Sequence, residues 1–158
     1  MGSEMCIRDR RWGGEPETIK TTIMGGRHAV MPGWAAVVGE QGVADVAAYL
    51  VTGLHSRKLP EGAKADPANG QKLFAANCVA CHGPAGKGTP AMGAPDLTHP
   101  AGFIYGSSFA QLQQTIRYGR QGQMPAQADL QGNDKVHLLA AYVYSLSHGE
   151  KAPAADAQ

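Results

Sequence analysis

A gap-free internal repeat constrains this chain more than any other feature. Thr22-Ile23, Gly26-Arg27 and Met31-Pro32 recur as Thr115-Ile116, Gly119-Arg120 and Met124-Pro125, at a constant offset of 93 residues. The same offset carries Gly39 onto Gly132, Val43 onto Val136, and Ala47-Ala48-Tyr49 onto Ala140-Ala141-Tyr142. Repetition at a fixed period marks two copies of one structural unit. The second copy extends upstream from Met124 through Cys78, whereas the first would need residues ahead of Met1 to supply the equivalent stretch. The expected organisation is therefore the C-terminal half of a first module over residues 11–55 and a polar linker over 56–65, broken by Pro60 and Gly62. A complete second module follows over 66–149, then a tail over 150–158. Residues 1–10, MGSEMCIRDR, connect to none of this. Glu4 to Asp9 resembles the translation of a transposon-end adapter, so the segment is read as an assembly artefact outside the fold.

The second module reads as helical. Asp66 is a fitting N-cap with Pro67 at the first helical position, and the helix should run to about Cys81. Ser107 or Ser108 can cap a second helix, in which Phe109, Leu112 and Ile116 follow helical spacing before Gly119 stops it. A third begins near Asn133 or Asp134 and carries the apolar stripe Val136, Leu139, Ala140 and Val143, with Gly149 as its stop. No segment shows a strand alternation, so the expected fold class is all-α, with ordered loops between Gly83 and Gly106. Composition agrees with a small, turn-rich globular chain: 158 residues, 43% hydrophobic, with 21 glycines and 10 prolines. Fourteen basic residues stand against 13 acidic ones, which excludes a strongly cationic nucleic-acid binder. No apolar run approaches the ~18 residues of a membrane helix.

Cys78-Val79-Ala80-Cys81-His82 is C-x-x-C-H, the attachment signature of a c-type haem. On a helix, positions i, i+3 and i+4 share a face, so two thiols can hold a porphyrin edge while the imidazole reaches the iron. A zinc site would need more ligands than one C-x-x-C pair, and Cys6 has no partner at useful spacing. A thioredoxin-like redox pair would need a βαβ setting that the helical pattern denies. The sixth iron ligand must come from elsewhere, and the candidates are Met92, Met124, His99 and His137.

Residues 66 to 149 resemble a class I cytochrome c domain, three main helices around a covalent haem. The resemblance rests on Gly70 and Phe74 ahead of C-x-x-C-H, on the loop Gly93-Ala94-Pro95-Asp96-Leu97, on the Met-Pro pair and on the Tyr142 helix, in that order. It implies close crossing of the first and last helices at Gly70, with Phe74 packed against Tyr142. It also implies that the Pro95 carbonyl orients the proximal His82, and that Met124 is the distal ligand. Met31 is by the same logic the distal ligand of the incomplete first module, unused because no proximal histidine faces it. Arg120 and Tyr105 are candidates for holding haem propionates.

GAPDL, Tyr105-Gly106, TIRYGRQGQMPAQ and LLAAYVYSLS are similar to the second haem domain of subunit III of cbb3-type cytochrome c oxidases. TIMGGRHAVMPGW and VADVAAYLVTGL are similar to the back half of that subunit's first haem domain. Met92 and Ile104 depart from the family pattern. The resemblance implies an electron-transfer subunit that is no enzyme on its own, on the periplasmic side of the bacterial inner membrane. It would take electrons from periplasmic cytochromes and relay them to other oxidase subunits. It further implies one haem c in this chain and two in the intact, membrane-anchored subunit. Two other readings stay open: the haem subunit of a periplasmic dehydrogenase, and a haem enzyme or gas sensor with an open sixth position. Residues 65–150 carry five basic and five acidic side chains, too even a balance for strong steering of a partner. The residues 11–54, lacking a front helix, are expected to be mobile or protease-sensitive.

Overall fold

The computed structural model describes residues 12–148. The elements are, in order, α1 (Pro16–Gly25), β1 (Arg27–Met31), α2 (Ala35–Tyr49) with a π-helical turn (Leu50–Leu54), α3 (Pro67–Asn77), α4 (Val79–His82), α5 (Phe109–Tyr118), β2 (Arg120–Met124) and α6 (Ala128–His148). They divide between two compact units. One comprises His28–Gly122; the other takes the residues before and after it. The expected artefact over 1–10, the stop at Gly149 and the tail over 150–158 lie outside the described residues.

The flanking unit is built from α1 and α6. Pro16 starts α1 at a position where its missing N–H costs nothing. Ile19 and Ile23 bury against Val136 and Ala140, with Val143 and Tyr144 at the margin. The Gln127 N–H donates to the Ile23 carbonyl at 3.0 Å, tying the start of α6 to the end of α1.

The central unit is built around α2. Val43, Val46, Ala47, Leu50 and Val51 bury against Phe74 of α3, Leu112 and Ile116 of α5, and Leu97 of the intervening loop. Asp66 caps α3 by accepting the Ala68 N–H at 2.9 Å. Ser108 and Gln111 form the reciprocal capping box of α5, which satisfies two otherwise orphaned donors. The Trp34 N–H donates to the Ile116 carbonyl at 2.8 Å, tying the start of α2 to the end of α5.

Several expectations change. The helix expected to run to about Cys81 is divided at Cys78 (φ −108°, ψ −25°), which stays in the right-handed helical region and joins α3, ending at Asn77, to α4, beginning at Val79. The all-α expectation gives way to a mainly helical fold with one strand pair, β1 with β2. Neither RHAVM nor RQGQM alternates apolar with polar, so periodicity could not reveal them; the backbone ladder forms between the two copies of one repeated segment. Gly26 and Gly119 terminate α1 and α5 with positive φ (67° and 74°). A Cβ at either would overlap a carbonyl oxygen, that of Met124 for Gly26 and that of Met31 for Gly119. Phe74 does not take Tyr142 as its ring partner. Its ring lies 5.4 Å from that of Tyr49, the residue 93 positions upstream of Tyr142, while Tyr142 is 58% exposed on α6. Residues 35–54, expected to lack a packing surface, find it on α3 and α5 and form the centre of a core.

Candidate functional site

The chemistry collects at the break between α3 and α4. Cys78 closes α3 and opens α4, and its carbonyl accepts the N–H groups of Cys81 (3.2 Å) and His82 (2.9 Å). That tight turn restores the i, i+3, i+4 relation of the three side chains although the longer helix is interrupted. Cys78 is half-buried, Cys81 exposed and His82 buried, with 7% of its surface accessible.

The loop after α4 folds back to present a carbonyl to the imidazole. Gly88 N–H donates to the His82 carbonyl at 2.8 Å, Leu97 N–H donates to Gly86 at 2.7 Å, and Thr89 and Ala94 form an isolated bridge. Asp96 holds the turn by accepting the Thr98 N–H at 2.7 Å. Burial alone would raise the Asp96 pKa, but the bonds from Thr98 and the Lys87 charge outweigh it and hold the carboxyl below its ordinary value. This scaffold brings the Pro95 carbonyl to 3.2 Å from His82 Nδ1. A carbonyl only accepts, so Nδ1 carries the proton and the imidazole lone pair belongs to Nε2, the nitrogen that can bind iron.

A haem c fits this donor set. Two thiols and an imidazole of fixed tautomer stand on one turn. Burial, and to a lesser degree the neighbouring Cys81, pushes the Cys78 thiol up to about 11, so it is a neutral thiol at neutral pH before any group is attached. No group of three or more His, Cys, Asp or Glu able to hold a metal ion occurs among the described residues.

The remaining candidates separate. Arg120 and Tyr105 come together, the guanidinium carbon 4.3 Å from the ring centroid, while Arg120 Nε donates to Thr115 Oγ1 at 3.0 Å. The repeat-related Arg27 donates to Thr22 Oγ1 at the same 3.0 Å. Met92, His99 and His137 are exposed. Met31 is half-buried against the core of the unit that holds His82, whereas Met124 lies in the flanking unit and is 39% exposed.

Three residues that sequence reasoning passed over, His55, Arg57 and Asp45, brace the loop and helices around the site. His55 Nε2 donates to the Leu97 carbonyl at 2.8 Å, and its ring stands edge-on to Phe103. Arg57 in turn donates to His55 Nδ1 and to the Ser107 carbonyl, so the segment expected to be a bare linker is pinned at its start. Burial lowers the His55 pKa, the bond to Leu97 partly offsets this, and the charges of Arg57 and His99 lower it further, which keeps the ring neutral. Asp45, 2% exposed, accepts bonds from the Asp66 N–H, Asn69 and Gln41, each at 2.8 Å, and so joins α2 to the start of α3. A single acid in the apolar run VADVAAYLV was the available signal.

A turn bearing two thiols and a buried imidazole oriented by a proline carbonyl, in a mainly helical unit, defines a c-type cytochrome domain. Residues 65–143 match the family model of cytochrome c oxidase, cbb3-type, subunit III. The chain belongs to that family. It is 38% identical over 149 residues to the cbb3-type cytochrome c oxidase subunit FixP of Bradyrhizobium sp. (strain ORS 278), covering 90% of this chain and 51% of that protein. It is 40% identical over 154 residues to the FixP subunit of Bradyrhizobium diazoefficiens, with the same coverages. To the CcoP subunit of Rubrivivax gelatinosus it is 38% identical over 146 residues, covering 89% of this chain and 45% of that protein. The chain thus spans about half the length of the curated relatives it matches. No helix among the described residues is long and apolar enough to cross a membrane.

Proposed function

We propose that this chain is an electron-transfer module of a cbb3-type cytochrome c oxidase, holding one haem c through Cys78 and Cys81 with His82 as the proximal ligand. The observation that carries the reading is the 3.2 Å approach of the Pro95 carbonyl to His82 Nδ1, on the turn that also presents both thiols. That bond aims Nε2 and makes the imidazole a stronger donor. The haem, when bound, supplies reversible one-electron chemistry, and a methionine thioether opposite the histidine would favour the ferrous state. A methionine from one of the two Met-Pro segments fills that position. Arg120, held against Tyr105 and Thr115, offers a fixed positive charge for a propionate. Electrons come from periplasmic cytochromes and pass to other oxidase subunits, with the module on the periplasmic side of the inner membrane.

The test is expression of the chain together with a haem-attachment system, intact mass measurement and a redox titration. The expected result is the added mass of a single haem and a reversible one-electron transition. His82→Ala should impair attachment. A chain that takes up no covalent haem under these conditions, or that takes up two, would overturn the reading.

A further inference from the structure

We infer that His55 is a positioning residue for His82: from just beyond the π-helical turn it fixes the loop that presents the Pro95 carbonyl to the imidazole. This rests on the haem c reading above and adds which residue outside the C-x-x-C-H turn sets how strongly His82 donates to iron. His55 Nε2 donates to the Leu97 carbonyl at 2.8 Å. Leu97 lies two residues beyond Pro95, whose own carbonyl accepts from His82 Nδ1 at 3.2 Å. All of these residues belong to the His28–Gly122 unit.

The loop has little freedom between these bonds. Its two limbs are joined where the Leu97 N–H donates to the Gly86 carbonyl at 2.7 Å, and the end of the π-helical turn holds both of them. Leu54 lies against the Gly86 limb, its Cδ1 2.8 Å from the Cβ that Gly86 lacks, while His55 holds the Leu97 limb. Pro95 is backed by Gly88, where a Cβ would stand 2.7 Å from the Pro95 oxygen. The carbonyl is thus set between Gly88 and His82 Nδ1, and a shift of the Leu97 limb changes the length of its bond to His82.

His55 is itself held in one state by two partners. A carbonyl only accepts, so Nε2 carries the proton; a guanidinium only donates, so the Nδ1 that Arg57 meets at 2.9 Å carries the lone pair. Arg57 also donates to the Ser107 carbonyl, and its backbone N–H donates to the Val51 carbonyl at 2.9 Å. Ser56, between the two, is the one non-glycine with positive φ (51°) among the described residues. A side chain is strained in that conformation, and such strain persists where the surrounding contacts over-determine it. The bonds of His55 and Arg57 are those contacts here. An acceptor held firmly on Nδ1 makes an imidazole a stronger donor to its metal, which favours ferric iron, so loosening the Pro95 bond should raise the midpoint potential.

The experiment uses the full haem-loaded chain, with intact mass establishing that haem is attached. A parent chain without covalent haem overturns the haem reading and this inference together; with haem attached, the variants judge His55 alone. Two quantities are measured: the midpoint potential, and the solvent exchange of the His82 Nδ1 proton, followed as a paramagnetically shifted resonance of the ferric protein. His55→Phe keeps a ring beside Phe103 and removes the donor; it should speed the exchange several-fold and raise the potential. His55→Gln, whose amide nitrogen is as many bonds from the backbone as Nε2, should restore both. Arg57→Met leaves the ring in place but frees its Nδ1, and should move both readings the same way by less, a second measure should His55→Phe load haem poorly. Asp45→Asn, which weakens the contact of α2 with α3 and not the loop, should move neither. Parent-like readings in both His55→Phe and Arg57→Met would overturn the proposal. So would an Asp45→Asn chain shifted as far as His55→Phe, or a His55→Gln chain that is not restored.

Discussion

The backbone of α3 at Gly70 rests against the carbonyl of Asp45 on α2, so closely that a Cβ at position 70 would overlap both atoms of that carbonyl and touch the Tyr49 Cβ. The two helices thus meet at backbone contact, and the aromatic pair Tyr49–Phe74 packs one turn further on.

Gly70→Ala should therefore destabilise the central unit, although alanine favours an isolated helix by about 1 kcal/mol. Forcing the helices apart costs ~1–3 kcal/mol in a packed core and removes more than the propensity returns. Urea unfolding followed by circular dichroism measures the difference. An alanine variant as stable as the parent would mean that α2 and α3 do not cross at this residue.

Asp45 gives the same interface a pH dependence. Burial pushes its pKa up, but the bonds from the Asp66 N–H, Asn69 and Gln41 outweigh burial and leave it below the ordinary carboxylate value. A carboxyl whose folded pKa is lowered stabilises the protein above its unfolded pKa, and that contribution fades as pH falls through the folded value. Asp45→Asn, which cannot accept at both positions, should cost ~1–3 kcal/mol at neutral pH. The gap between parent and variant should narrow below about pH 4, where an ordinary aspartate carboxyl takes up its proton. Unfolding curves at neutral and acid pH decide it; a gap that stays constant would show that the carboxylate charge contributes nothing there.

The two thiols of the C-x-x-C-H turn should differ in reactivity in the chain as it stands. Cys78 is half-buried with its pKa pushed up to about 11, while Cys81 is exposed. Only thiolate reacts with alkylating agents, so at neutral pH the Cys78 thiol is some two orders of magnitude short of the thiolate fraction of an ordinary cysteine. Iodoacetamide treatment of the apo chain, with peptide mapping to separate Cys78 and Cys81 from Cys6, should find Cys81 modified first. Equal rates, or Cys78 leading, would contradict the packing of that side chain.

The turn geometry at C-x-x-C-H was legible in the sequence because it is local: that turn, the Asp66 and Ser108 caps and the Gly119 stop each depend on a few neighbouring residues. The repeat was legible too, but which copy of the repeated helix covers α3 was not. Ala-Ala-Tyr is the same in both copies, and the choice falls to Gly42 and Asp45 against Lys135 and Leu138, whose partners are far away in the chain. Pairing of the two Gly-Arg segments into strands escaped for a related reason. Their ladder bonds are between backbones, and burial patterns such as that of β2, exposed along most of its length, leave no alternation to read.

The equivalence of Tyr49 and Tyr142 turns the choice between helices into a measurement. Both close an Ala-Ala-Tyr triplet, and both would serve as the partner of Phe74 if their helix lay on α3. The structure gives that contact to Tyr49, and leaves Tyr142 exposed beside Lys135, Leu138 and Leu139. Tyr49→Ala removes a ring from the core margin and an aromatic contact, a loss of ~2–4 kcal/mol by the cost of comparable truncations. Tyr142→Ala trims an exposed side chain and should stay within about 0.5 kcal/mol of the parent. Hydrogen exchange at the amides of α3 reads the effect where it should fall: faster in Tyr49→Ala, unchanged in Tyr142→Ala. The opposite ranking would contradict the packing of Tyr49, and so of α2, against Phe74.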